Sequence, residues 1–104
     1  MYKIKLTQIA AEYIQKLDKK SQNQVIKKIE QLKTHPTDSG KQLKGNLKEY
    51  RSIRSIGQRY RIIYKINETE IVVVIVAIGI RKDGAKKDIY ELMKKYVKIG
   101  LFNE

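Results

Sequence analysis

The five arginines of this chain, Arg51, Arg54, Arg59, Arg61 and Arg81, all fall between residues 51 and 81, whereas its 18 lysines are scattered from Lys3 to Lys98. A planar guanidinium can hold two oxygens of one phosphate in fixed geometry, which an ammonium cannot. The clustering therefore points to chemistry on an oxyanion. Reading Gly57-Gln58 as a two-residue type II′ hairpin turn puts Ile56 opposite Arg59, Arg54 opposite Arg61, Ser52 opposite Ile63 and Tyr50 opposite Lys65. All of these side chains then share one side of a sheet, and Ile53, Ile62, Tyr60, Tyr64 and Ile66 take the other. Like charges directly across a strand pair destabilise it. An anion shared by Arg54 and Arg61 would relieve the repulsion; so would splaying into water, or neutralisation by Glu49 or Glu91.

Other reactive constellations are missing from the sequence. There is no cysteine, hence no disulfide framework or thiolate metal site. The 11 acids are dispersed, with no carboxylate cluster suited to Mg²⁺, so neither a metal nor a cofactor is expected. No Ser-His-Asp or Cys-His set and no glycine-rich phosphate loop occurs. The one histidine, His35, precedes Pro36 at the expected end of a helix, where a solvated role outweighs a catalytic one.

The elements that must position the arginines follow from periodicity. Tyr2 to Leu6 alternates as a short strand. Thr7 caps a helix with Ala10, Tyr13, Ile14 and Leu17 on one face. Ser21 with Gln24 forms a capping-box pattern opening a second helix, with Val25, Ile26, Ile29 and Leu32 inward, closed by His35-Pro36. Residues 36–46 read as loop. Strands are expected at Glu49–Ile56, Arg59–Ile66 and Glu70–Ile78, the last apolar throughout and therefore central. Asp88 with Glu91 caps a final helix carrying Ile89, Leu92, Met93, Tyr96 and Val97, and Gly100 stops it. Tyr90 lies about 90° from the centre of that apolar face, at its border. The order β-α-α-β-β-β-α predicts an α+β fold: a mainly antiparallel four-stranded sheet, a helical hairpin on one face, and a C-terminal helix.

With 104 residues the chain has room for one domain spanning 1–104. Its net charge of +12 favours polyanionic partners. The longest apolar run, Ile71 to Ile78, is too short to span a bilayer, and no signal-peptide pattern opens the chain, so a cytoplasmic location without membrane contact is expected.

Leu43-Lys44-Gly45, Tyr50-Arg51-Ser52-Ile53-Arg54, Arg59-Tyr60-Arg61-Ile62-Ile63-Tyr64, Val76-Ala77-Ile78-Gly79-Ile80-Arg81-Lys82-Asp83 and Ile89-Tyr90, in that order and spacing, resemble the RelE/ParE superfamily of toxins from toxin–antitoxin pairs. The likeness covers almost the whole chain. It implies, for the RelE branch, a metal-independent endoribonuclease (an mRNA interferase) that cuts messenger RNA, often at the ribosome. By resemblance Arg54, Arg61, Arg81 and Tyr90 correspond to the catalytic set, and Arg51, Arg59, Lys65 and Lys82 are read as RNA contacts. The resemblance also implies a cognate antitoxin, expected to be acidic and helical. The ParE branch, which inhibits DNA gyrase, is the alternative; it generally lacks the full set of four.

The chain departs from the family pattern at three places. Ile80 stands where relatives often have histidine, Ser52 where a second basic residue is common, and the segment between Arg81 and Tyr90 is a few residues longer. Strand parity adds a difficulty. If Ile66 pairs with Ile71, Arg61 pairs with Val76 and Arg81 falls on the hairpin-covered side. Arg81 joins the site only if the last strand breaks or bulges near Gly79, and such a break is predicted.

Overall fold

The computed structural model describes residues 1–102. Its strands are β1 (Lys3–Leu6), β2 (Lys41–Gln42), β3 (Arg51–Ser55), β4 (Tyr60–Asn67) and β5 (Val72–Ile80). Its helices are α1 (Gln8–Lys16), α2 (Lys19–Gln31), α3 (Pro36–Ser39) and α4 (Ile89–Lys98), with a 3-10 turn at Gly45–Leu47. The sheet runs β1-β5-β4-β3-β2, with β1 parallel to β5 and every other pair antiparallel. The α+β class matches the sequence reading, as does the order of the elements it named, but the described residues contain five strands rather than four and a further short helix, α3, in the stretch read as loop. The extra strand, β2, comes from the polar 36–46 stretch, where no alternation marks it. Gly40 makes it possible: a Cβ there would sit 2.8 Å from the Ser52 carbonyl oxygen and closer still to the Tyr64 hydroxyl.

Of the three caps read from the sequence, Thr7 and Asp88 form, the latter without its Glu91 partner, which pairs with Lys94. The Thr7 hydroxyl accepts from the Ala10 amide, and the Asp88 carboxylate accepts from the Tyr90 amide. The Ser21–Gln24 box does not form. α2 begins at Lys19, after Asp18, because Leu17 packs against the core and fixes the turn three residues earlier. Pro36 does not end α2, which stops at Gln31; it opens α3, where its missing N–H costs nothing. At the end of α4 the Gly100 and Leu101 amides fold back onto the Val97 and Tyr96 carbonyls, closing the helix where glycine predicted.

The sheet is buried on both sides. Ile53, Ile62, Tyr64, Val73, Ile75 and Ile78 pack on α1 and α2, through Ala10, Val25, Ile29 and Leu32. Ile63, Val76 and Ala77 pack on α4, through Ile89 and Met93. The register explains how β5 serves both faces. Ile66 pairs with Val73 and Tyr64 with Ile75, yet Ile63 pairs with Ala77, so Val76 is an extra residue in β5. Val76 and Ala77 consequently both face α4. The predicted break in β5 exists, three residues earlier than expected, and the pairing of Ile66 is two residues away from the one assumed.

Candidate functional site

The β3–β4 hairpin sets the site. Arg54 and Arg61 are cross-strand partners, as the turn assignment required. The turn itself differs: Gly57 and Gln58 both have positive φ (61° and 65°), which is the type I′ rather than the type II′ pattern. Ile56 before it is also left-handed at φ 47°, a strained setting for a β-branched residue, of order 1–3 kcal/mol. That strain buys a tight turn whose Gln58 serves both arginines. The Gln58 carbonyl accepts from Arg61 Nη1 at 2.7 Å, and its side-chain oxygen accepts from Arg54 Nη1 at 3.3 Å. Among the described residues no carboxylate pairs with either guanidinium; Glu91 pairs with Lys94 instead. The two charges are thus oriented by neutral acceptors and left uncompensated.

The bulge brings the third arginine to them. Arg61 pairs with Gly79, and the Arg81 amide donates to the Arg59 carbonyl at 2.7 Å, so Arg81 continues the face that carries Arg61. The Arg81 guanidinium lies 4.8 Å from the centre of the Tyr90 ring. The Tyr90 hydroxyl meets Ser52 Oγ at 2.9 Å. Tyr90 therefore spans the face from the end of β5 to β3, and Ser52 sits two residues before Arg54 on the same side. Arg54, Arg61, Arg81 and Tyr90 share one surface.

Arg81 differs from the other two in being paired. Its Nη1 lies 2.7 Å from Asp88 Oδ1, and its Nη2 is 3.6 Å from the exposed Asp83. Asp88 is 1% exposed and also accepts from the Lys82 and Tyr90 amides. Burial pushes its carboxyl up, but the Arg81 guanidinium and the two amides outweigh burial and hold it below the ordinary carboxylate range. The Asp88 hydrogen bond raises Arg81 above its usual value.

The remaining sequence-assigned residues scatter. Arg51 points to the hairpin side and donates to the Thr37 and Gly40 carbonyls at 2.6 and 2.8 Å, so it braces the β2 loop rather than the arginine face. Lys65 shares parity with Arg61 but lies beyond Ile63, which α4 buries, in a hollow with Glu49 and Phe102. Arg59 is exposed at the turn, and Lys82 is exposed with its amide held by Asp88. His35 precedes α3 and its carbonyl accepts from the Ser39 amide. Three contributors were not assigned from the sequence: Gln58 (read only as a turn residue), Ser52 (read as a departure), and Asp88 (read only as a cap). An acid seven residues after Arg81 and two before Tyr90 was the available signal for Asp88. Among the described residues no group of three His, Cys, Asp or Glu side chains could hold a metal ion.

A sequence profile described as ParE toxin of type II toxin-antitoxin system, parDE, matches residues 4–85. This chain belongs to the ParE toxin family. A RelE-like toxin protein of Escherichia coli is 29% identical over 91 residues, covering 88% of this chain and 92% of the relative. The toxin in the RelBE2 toxin–antitoxin complex of Mycobacterium tuberculosis superposes with a TM-score of 0.69 at 27% identity, over 77% of this chain and 98% of that one. Isolated Escherichia coli RelE gives 0.69 at 20% identity, over 93% and 99% of the two chains. A YoeB/ParE toxin of Agrobacterium tumefaciens gives 0.66 at 19%, over 77% and 99%. The last two likenesses concern the fold alone. The ParE-family chain is thus a RelE/ParE superfamily toxin of a toxin–antitoxin system.

Proposed function

We propose that this toxin is a metal-independent endoribonuclease that cleaves messenger RNA at the ribosome, in the cytoplasm, and is held in check by a cognate acidic antitoxin. The observation that carries the reading is the shared face: two uncompensated guanidinium groups, Arg54 and Arg61, beside a tyrosine that is stacked on Arg81 and hydrogen-bonded to Ser52. RNA brings its own nucleophile. The 2′-oxygen attacks the adjacent phosphorus, the bond to the 5′-oxygen breaks, and a 2′,3′-cyclic phosphate and a 5′-hydroxyl result. The protein must align these atoms and stabilise the charge of the phosphorane-like transition state, a task for fixed cations. Arg54 and Arg61 are assigned to the non-bridging oxygens. Tyr90 is assigned to the 2′-hydroxyl proton or to stacking on a base. Arg81, held by Asp88, is assigned to the leaving oxygen. Arg59 and Lys82 flank the face as backbone contacts. The antitoxin part of the reading is supported by the likeness to a toxin solved in a toxin–antitoxin complex.

Primer extension on translated message, comparing wild type with Arg61→Ala and Tyr90→Phe, tests this. Cuts should persist in chelator and fall about 10²–10³-fold in Arg61→Ala, the usual cost of one lost oxyanion donor. A second reading, inhibition of DNA gyrase, is favoured by the ParE description of the matching profile and by the occupation of Arg81 by Asp88. Intact RNA together with altered plasmid supercoiling would establish it instead.

A further inference from the structure

We propose that the groove between α2 and the free end of β3 is a second nucleic-acid subsite, which takes the phosphates of single-stranded RNA flanking the Arg54/Arg61 face. The proposal rests on the RNA-directed reading for the identity of its ligand. The groove encloses about 890 Å³. Four cations line it, Lys27 and Lys28 from α2, Lys41 from β2 and Arg54 from β3, and no acid does. Its other polar walls, Gln24 and Gln31 among them, are neutral donors and acceptors. Ser55, 4% exposed, forms part of the lining, and its hydroxyl has no partner among the described residues. Ser52 and Arg54 belong both to this groove and to the arginine face, so the two are continuous.

The sheet edge explains why the groove is open and what it suits. β2 pairs only with Arg51 and Ser52. Ladder alternation then turns the backbone of Arg54 outward past the end of β2, and the next outward residue, Ile56, is left-handed and ends the strand. One free residue is too little for an added peptide strand, which draws its affinity from a run of main-chain hydrogen bonds. An outward amide amid uncompensated cations suits phosphate oxygens, and the sequence-independent part of single-strand binding is built this way.

The test is binding of a labelled 2′-O-methyl RNA of about 12 nucleotides, which cannot be cut by 2′-hydroxyl attack and fits the usual span of such grooves. The full chain is compared with Lys27→Ala/Lys28→Ala/Lys41→Ala and with a charge-matched control, Lys94→Ala/Lys95→Ala/Lys98→Ala on α4, after circular dichroism confirms that each is folded. Affinity is followed from 50 to 200 mM salt. Three lost phosphate contacts should flatten the log–log salt slope by roughly 2 and weaken low-salt binding about 10–100-fold, the control changing far less. Equal losses in the two triple variants would reduce the effect to net charge and overturn the proposal. So would a polyglutamate peptide that binds the parent more tightly than the RNA and loses affinity in the groove variant, since the occupant is then protein. Failure of cleavage in primer extension with the groove result intact would remove the nuclease reading alone.

Discussion

Asp88 is the residue on which most of the local geometry converges. One buried carboxylate caps α4, anchors the Lys82 amide and holds Arg81 against Tyr90. Removing it leaves a guanidinium and two amides without their acceptor, and a buried group stranded in this way costs more than the pair was worth. Asp88→Ala should lower stability by about 2–4 kcal/mol in urea denaturation. Asp88→Asn, whose single carbonyl oxygen can keep the acceptor role of only one of the two carboxylate oxygens, should cost less than Asp88→Ala. Asp83→Asn should change stability by less than about 0.5 kcal/mol, because Asp83 is 96% exposed and 3.6 Å from the guanidinium. The pH dependence follows from the depressed carboxyl. A group whose pKa is lower folded than unfolded stabilises the fold above the unfolded value, near 4, and loses that contribution as pH falls through the lower folded value. Wild type should therefore lose stability on acidification below about pH 4 more steeply than Asp88→Asn, and parallel acid limbs would contradict the assignment.

At the level of elements, β5 and α4 decide whether the arginines and the tyrosine meet. Gly79 is the contact point: a Cβ there would lie 2.8 Å from Ile89 Cδ1 and 3.2 Å from Ile89 Cβ. Ile89 is the first residue of α4, so it cannot yield without moving the helix that carries Tyr90. Gly79→Ala should destabilise by about 1–3 kcal/mol through overpacking. It should also lengthen the Tyr90–Ser52 contact, visible in a structure of the variant. Unchanged stability would mean that α4 rides loosely on the sheet.

The same elements show what the sequence carried. Periodicity located α1, α2, α4 and the three long strands, though not the one-turn α3 in the stretch read as loop, and turn chemistry fixed the Arg54–Arg61 pairing, because these signals lie within a few residues of one another. The Val76 bulge was legible only as a need: parity demanded a break if Arg81 was to join Arg61, but an all-apolar strand such as Val72–Ile78 gives no local mark of where the extra residue falls. β2 was illegible because two polar residues held by a neighbouring strand have no pattern of their own. The Arg81–Asp88 pair and the Tyr90–Ser52 contact depend on how α4 lies against the sheet, and no spacing rule reports that.

For the whole molecule the governing quantity is its charge. Of the 23 lysines and arginines, the ion pairs among the described residues engage Lys33, Arg81 and Lys94, and with 11 acids in the chain the net excess of +12 is balanced only by solvent ions. The molecule measures 36 × 32 × 23 Å. At 0.01 M salt the screening length is about 30 Å, so each cation feels nearly every other one, whereas at 0.15 M it is about 8 Å and only near neighbours interact. Self-repulsion of this kind favours the expanded, unfolded chain. Raising NaCl from about 0.01 to 0.15 M should accordingly raise the melting temperature by several degrees, where a protein of balanced charge would show little change. Neutralising Lys27, Lys28 and Lys41 together should reduce the salt increment, since these cations share one groove with Arg54 and repel it at short range. A melting temperature that is flat or falling with salt would mean that attraction between the scattered acids and lysines already cancels the excess, and the +12 would then be a property of the surface with no hold on the fold.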